Sequence, residues 1–159
     1  MLEKNTCCFI GHREIEKTEE LKRRLTAVVE ELITAKQVDT FLFGSKSAFN
    51  DLCYEQVTSI KQKYSHIKRI YVRAEYPYIS ENYKNYLLKY YEGTYYPQNV
   101  LDSGRAAYIK RNEEMIQKSD FCVFYYNETF LPSIRKSGTK IALDYAARKG
   151  KEIIILSFS

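Results

Sequence analysis

The stretch Cys7-Cys8-Phe9-Ile10-Gly11-His12-Arg13 can be interpreted in two ways. Paired cysteines followed by a histidine indicate a metal site, whereas a short apolar run that ends in glycine and a basic pair indicates a strand leading to an anion site. Adjacent residues of a strand point to opposite faces, so Cys7 and Cys8 do not converge on one ion. No second Cys or His pair completes a tetrahedral set. We therefore predict no metal and a buried central strand.

Four further apolar runs along the chain have the same character. The five predicted strands are Thr6–Ile10, Thr40–Phe43, Ile67–Val72, Phe121–Tyr126 and Glu152–Leu156. They are apolar almost throughout, which is typical of parallel strands buried on both faces. Amphipathic helical patterns separate them. The alternation predicts an α/β fold, a Rossmann-like three-layer α/β/α sandwich with a mainly parallel five-stranded sheet in the order 3-2-1-4-5.

Length and charge limit the classes of function. The chain has 159 residues, which predicts a single domain over 1–159. No apolar run approaches the roughly 20 residues that span a bilayer, and no signal-peptide core is visible, so we expect a cytoplasmic protein without a membrane partner. The net charge of +5 favours anionic partners but is too small and dispersed to favour nucleic acid. The four cysteines are expected to be free and buried.

Tyrosine is concentrated in one segment. Eight of the fifteen tyrosines fall between Tyr76 and Tyr96. Residues from about 74 to 103 break the strand–helix rhythm, and we predict a tyrosine-rich insertion there with a short helix around Ser80–Tyr91. Its rings can stack on a nucleobase, form a platform for single-stranded nucleic acid, or pack a homodimer interface. We favour base stacking by Tyr76 and Tyr78, because they follow the third strand at the carboxyl edge of the sheet.

Four turns that follow strands or open helices carry residues suited to anions. Glycine lets the backbone approach a ligand, free amides at a helix N-terminus bind anions, and Arg13 or Lys46 can neutralise phosphate. Each turn alone is better explained by plain helix capping than by phosphate binding. Their convergence at the switch point of the sheet favours a phosphate site. The ligand-binding residues that the turns predict are Gly11, His12, Arg13, Gly44, Ser45, Lys46, Asn127, Ser137, Gly138 and Thr139.

The same motifs, in this order and over roughly residues 5 to 157, resemble the SLOG superfamily. This Rossmann-like group contains the Smf/DprA DNA-processing proteins and the LOG cytokinin-activating hydrolases, and the chain is most similar to small bacterial members of unknown function that begin with a Gly-His-Arg turn. The matching residues are Cys8-Phe9-Ile10-Gly11-His12-Arg13, Phe43-Gly44-Ser45, Phe49-Asn50-Asp51, Arg111-Asn112 with Met115, Ser119-Asp120, Ser137-Gly138-Thr139, Ala146-Ala147 and Gly150-Lys151.

The resemblance implies a pocket for a nucleotide or nucleotide-derived ligand, and the sequence identifies no cofactor. Ser137-Gly138-Thr139 would occupy the place of the family's glycine-rich phosphate turn, and Arg111 that of an arginine four residues before a methionine. Asn112 joins the ligand-binding set with Arg111. Without the resemblance, the charged run from Lys110 to Glu114 is typical of a solvated helix face.

One departure from the pattern bears on activity. LOG-type hydrolases carry a glutamate three residues after the threonine of the phosphate turn, where this chain has Ala142. The leading prediction is therefore binding of a phosphate-bearing ligand, as a sensor or signalling-nucleotide binder. Hydrolysis of an N-glycosidic bond is the alternative, with His12, Asp51 and Glu128 as catalytic candidates, and His12 can equally act as a plain hydrogen-bonding group. An accessory protein that binds single-stranded DNA is the third prediction.

Overall fold

The structure is a computed structural model that describes residues 5–44, 46–127 and 137–156. Within these ranges six strands alternate with five α-helices. The strands are β1 (Thr6–Gly11), β2 (Thr40–Phe43), β3 (Lys68–Val72), β4 (Gly93–Tyr95), β5 (Phe121–Tyr125) and β6 (Glu152–Ile155). The helices are α1 (Glu19–Thr34), α2 (Ala48–Lys61), α3 (Glu81–Leu87), α4 (Ala107–Lys118) and α5 (Gly138–Arg148). In the part of the chain that is described, no helix combines the length and apolar character needed to cross a membrane.

The strands form one parallel sheet in the order β4-β3-β2-β1-β5-β6. This confirms the Rossmann-like α/β fold, and the predicted order 3-2-1-4-5 corresponds to the five strands from β3 to β6. The first strand lies between β2 and β5, with Cys8 paired to Cys122 and Gly11 to Tyr125. A central strand of a parallel sheet is covered on both faces, which explains its continuous apolar sequence.

The two cysteines of β1 show that both faces of the sheet are covered by helices. Cys7 packs in the core shared with α1 and α2, whereas Cys8 packs in the core shared with α4 and α5. All four cysteines are buried free thiols, as the sequence predicts. Burial raises the pKa of Cys7 and Cys53, so their thiols stay protonated and unreactive. Among the residues that the structure describes, no three His, Cys, Asp or Glu side chains are grouped for a metal ion.

The sixth strand corrects the expected strand count of five. Strand β4 lies inside the tyrosine-rich segment and pairs with β3 at the edge of the sheet. Arg69 anchors its start through an ion pair of 2.7 Å with Glu92, and the Arg73 amide donates to the Tyr95 carbonyl at its end. A three-residue strand that begins with glycine has no periodicity to detect. Its pairing depends on contacts with β3, more than 20 residues away in the chain.

Helix ends follow the local sequence closely. The Thr18 hydroxyl accepts the Leu21 amide at the start of α1, and the predicted short helix in the tyrosine-rich segment is α3, capped by Ser80.

The inward face of α4 differs from expectation. Ile109, whose spacing from Ile116 predicts a buried position, is 37% exposed, and Arg111 faces inward instead.

Candidate functional site

A cavity of about 670 Å³ lies at the carboxyl edge of the sheet, where β1 and β5 end side by side. The strand order changes direction at β1, and such switch points are where open parallel sheets bind ligands. The cavity gathers most of the residues that the sequence predicts for ligand binding. Its lining is formed by Gly11, His12, Arg13, Lys46, Ser47, Tyr108, Arg111, Asn112, Ser137, Gly138 and Thr139.

Arg111 is the least accessible charged group in this lining. Only 4% of the residue is exposed. The charged residues around Arg111 predict a solvent-exposed helix face, and for Arg111 that prediction is wrong. One guanidinium nitrogen donates to the Gly44 carbonyl, another donates to Asn112 Oδ1 at 3.4 Å, and the Nε has no partner among the described residues. None of the ion pairs within residues 5–44, 46–127 and 137–156 includes Arg111. Burial lowers its pKa, since a buried cation is costly.

Glycines at the ends of β1 and β2 allow close packing around the cavity. A Cβ at Gly44 would lie 2.9 Å from Arg111 Cδ and 3.0 Å from Met115 Sδ, so only glycine lets the arginine lie against the end of β2. A Cβ at Gly11 would lie 2.6 Å from Phe49 Cγ. Both backbone groups of Gly44 are used within the protein, because its amide donates to Asn50 Oδ1. The predicted ligand residue Gly44 is therefore placed behind Arg111 and positions it.

The first turn of α5 presents backbone donors to the cavity. The Ser137 hydroxyl accepts the Lys140 amide at 3.0 Å, which makes it an N-cap. The amides of Gly138 and Thr139 precede the first intrahelical hydrogen bonds, and neither donates to an atom of the described residues. A Cβ on Gly138 would meet nothing within 4 Å. These two amides and the positive end of the helix dipole face the same space as Arg111.

His12 connects the ends of β1 and β5. Its Nε2 accepts the Asn127 amide at 2.9 Å, and 9% of the residue is exposed. Burial lowers the pKa of His12, and the bond from the amide requires an unprotonated Nε2. Proton transfer at Nε2 would first break this bond. The predicted ligand residue Asn127 does not line the cavity, and its backbone is held by His12.

Cations line the mouth of the cavity as well as its floor. Arg13 is exposed and its guanidinium has no hydrogen-bond or ion-pair partner within the described part of the chain. Lys46 Nζ lies 2.9 Å from Glu75 Oε1, an oxygen that also accepts the Tyr108 hydroxyl at 3.0 Å. The hydrogen bond from Lys46 lowers the pKa of Glu75, so the carboxylate stays ionised. Of the residues described, no carboxylate lines the cavity itself.

Tyr108 is the lining residue that sequence reasoning missed. Its ring lies 5.3 Å from the Arg111 guanidinium, a cation–π contact, and 51% of the residue is exposed. The two residues are three positions apart in α4 and share a face of the helix, which is the signal that could have identified it. Ser47, also in the lining, belongs to the turn singled out after the second strand and caps α2.

Several predicted residues lie elsewhere. Tyr76 and Tyr78 line a neighbouring cavity with Tyr71, and Asp51 lines a third cavity with Tyr91. Ser45 and Glu128 are outside the described residues. The structure thus brings together the glycine turns, the helix start and Arg111, but it places the tyrosines and Asp51 beside that group.

No protein-family model matches the chain, and a search of curated proteins finds no match. The similarity to the SLOG superfamily therefore remains a prediction from its motifs.

Proposed function

We propose that the protein binds a phosphate-bearing small molecule of nucleotide type in the cavity between β1, β5 and the start of α5. The observation that carries this proposal is Arg111, a buried guanidinium that lines the cavity without a counter-ion among the described residues. Burying a cation without an opposite charge costs several kcal/mol per ion in order-of-magnitude terms. An anion between Arg111 and the α5 amides offsets that cost.

The geometry also favours phosphate over a carboxylate ligand. The residues of the α5 N-terminus, the Arg111 guanidinium and the exposed Arg13 line one cavity, and this number of donors suits the several oxygens of a phosphate. The resemblance in the sequence predicts the same ligand class. Binding is better supported than hydrolysis, because cleavage of a glycosidic bond relies on carboxylates and the described lining supplies none.

Isothermal titration calorimetry with inorganic phosphate, pyrophosphate, AMP, ADP and ADP-ribose tests the proposal. We expect at least one of these to bind, and Arg111→Gln to weaken it about 10- to 150-fold, the equivalent of a charged hydrogen bond. Arg105→Gln is the matched control, because it removes an exposed arginine outside the cavity lining. Circular dichroism establishes that each variant is folded.

Gly138→Leu provides a second variant that removes no packing contact, since a side chain there enters open space. It should weaken binding on the order of 100-fold in a folded protein. Absence of binding by every anion in the panel, with the native protein folded, would overturn the proposal. So would equal affinities for the native protein, Arg111→Gln and Gly138→Leu.

A further inference from the structure

We call the cavity lined by Arg111 and the start of α5 the phosphate cavity. Two tyrosine-lined cavities, of about 400 and 490 Å³, adjoin it. Lys46 lines all three cavities, and Tyr71 and Tyr83 line both of the tyrosine-lined ones. We call these two cavities together the tyrosine groove. It begins at the Lys46–Glu75 ion pair, which is the boundary of the phosphate cavity.

The rings of the groove are held by one another. Tyr71, on β3, is stacked on Tyr91 with ring centroids 5.3 Å apart and planes at 23°. Tyr91 packs in turn on Tyr54 at 5.0 Å, and burial raises its pKa well above the ordinary range. Tyr83, on α3, is 37% exposed and lies nearly parallel to Tyr86. The groove therefore has a fixed wall of aromatic rings and one partly exposed ring beside it.

The groove is electrostatically continuous with the phosphate cavity. Burial raises the pKa of the Tyr71 hydroxyl, and the positive charges of Arg111 and Lys46 both oppose that rise. Lys46 lines the phosphate cavity and, with Tyr71, both tyrosine-lined cavities, so its cation is shared between the two sites. A ligand whose phosphate contacts Arg111 can thus extend past Lys46 to Tyr71.

Asp51 supplies the groove with a carboxylate, a group that no described residue supplies to the lining of the phosphate cavity. The residue lines the groove, is exposed, and its carboxylate has no hydrogen bond or ion pair within the described residues. A carboxylate repels a second phosphate but accepts hydrogen bonds from hydroxyl or amino groups. Aromatic faces bind planar rings of any base by stacking. Together these groups suit the nucleoside end of a nucleotide.

We propose that the tyrosine groove binds the base and ribose of a nucleotide whose phosphate lies at Arg111. In this arrangement Tyr83 and Tyr71 contact the base, and Asp51 accepts hydrogen bonds from ribose hydroxyls or base amines. The ligand class is then nucleoside phosphates rather than sugar phosphates or inorganic anions. This inference rests on the proposed phosphate site and moves the base contact from Tyr76 and Tyr78 to Tyr71 and Tyr83.

Calorimetry with three probe classes tests the inference: the four ribonucleoside 5′-monophosphates, ribose 5-phosphate and inorganic phosphate. At least one nucleoside monophosphate should bind about 5- to 150-fold more tightly than ribose 5-phosphate, the range expected for one stacked base. Tyr83→Ala should remove that advantage without changing the affinity for ribose 5-phosphate. Tyr83→Phe keeps the ring and should retain the advantage. Tyr96→Ala, outside the groove lining, is the control.

The outcomes separate this inference from the proposed function. If the three probe classes bind equally to the native protein, the phosphate site stands and the groove assignment is overturned. The groove assignment is also overturned if nucleotides bind more tightly but Tyr83→Ala leaves their advantage intact. If no probe binds to the folded native protein, the groove assignment is overturned, and the proposed function is overturned with it only if pyrophosphate, ADP and ADP-ribose also fail to bind.

Discussion

Helices α2 and α5 begin at the same edge of the sheet and each has a serine N-cap, yet their first turns are used differently. At α2 the Ala48 amide donates to the Arg13 carbonyl at 2.7 Å, and Ser47 accepts the Asn50 amide. At α5 the cap accepts the Lys140 amide alone, and the two preceding amides donate to no described atom.

The difference shows that a cap serine marks a helix start but does not by itself make an anion site. The loop that follows β1 covers the first turn of α2, since Arg13, whose carbonyl accepts the Ala48 amide, belongs to that loop. Among the described residues, no group accepts the amides of Gly138 and Thr139 at the start of α5. We call the start of α5 the open helix start and the start of α2 the closed helix start. Substitutions at and around these two helix starts test the difference between them.

Gly138→Leu should have the largest effect, because it fills the open helix start. The added side chain enters space in which a Cβ meets no atom within 4 Å. We expect ligand affinity to fall by on the order of 100-fold, equivalent to about 2.7 kcal/mol. The free energy of unfolding should change by no more than about 1 kcal/mol, because position N1 tolerates most residues. Calorimetry and urea unfolding measure the two quantities.

Gly138→Ala is the matched control for this prediction. Its single methyl group fits the open space, and affinity should stay within about threefold of the native value. Equal losses in the alanine and leucine variants would show that glycine itself, rather than open space, is required.

Gly44→Ala should have the next largest effect, because it pushes Arg111 away from the end of β2. The new Cβ would lie 2.9 Å from Arg111 Cδ. Overpacking of this kind destabilises a protein by about 1–3 kcal/mol, and the displaced guanidinium should weaken ligand binding about tenfold. Thermal unfolding and calorimetry measure both effects.

Gly93→Ala is the comparison for Gly44→Ala. Its Cβ would meet only Ile70 Cδ1, at 3.1 Å, and that methyl group is the far end of a flexible side chain. The change in stability should be smaller and ligand affinity unchanged. Intact affinity in Gly44→Ala would contradict the role of Arg111 in binding.

Ser47→Ala and Ser137→Ala compare the two helix starts directly. Each substitution removes an N-cap and should lower the free energy of unfolding by about 1 kcal/mol. Ser137→Ala should weaken binding by a few fold more than Ser47→Ala does, because it loosens the turn that presents Gly138 and Thr139. Equal binding losses in the two variants would contradict the distinction between the open and the closed helix start.

The smallest effect concerns His12, which holds the Asn127 amide as the Arg13 carbonyl holds that of Ala48. Burial lowers the pKa of His12 below its ordinary 6.5, so the unfolded chain takes up its proton first as the pH falls. The stabilisation is complete above that ordinary pKa and declines below it. Between about pH 7.5 and 5.5, the native Tm should therefore fall more than that of His12→Gln. Parallel Tm profiles would show that His12 does not titrate in this range.

Much of the fold could be predicted because its signals are local. Five strands can be recognised in the sequence as continuous apolar runs. Three helix starts can be recognised by their caps, since the hydroxyls of Thr18, Ser80 and Ser137 each accept the amide three residues further along the chain. Strand β4 has no comparable signal. Its three residues are a strand only because β3 offers them an unpaired edge.

The candidate site divides in the same way. The turns at Gly11 and Ser137 can be placed at one edge from the strand order alone, since parallel strands end on the same side. The burial of Arg111 cannot, because the charged residues around it, from Lys110 to Glu114, indicate a solvated helix face. The sequence also does not predict that Tyr76 and Tyr78 lie outside the cavity, because their position depends on where α3 and β4 pack.

The sequence by itself determined the alternation of strands and helices, the parallel sheet and the edge at which its turns meet. These follow from hydrophobic periodicity and capping, which act between residues a few positions apart. The tertiary structure alone decided that Arg111 lies buried against Gly44, 67 residues away, and that the first amide of α2 donates to the Arg13 carbonyl whereas that of α5 donates to no described atom. Desolvation and hydrogen bonding between distant segments set those features, because a charge or amide is satisfied or left open only by what packs around it.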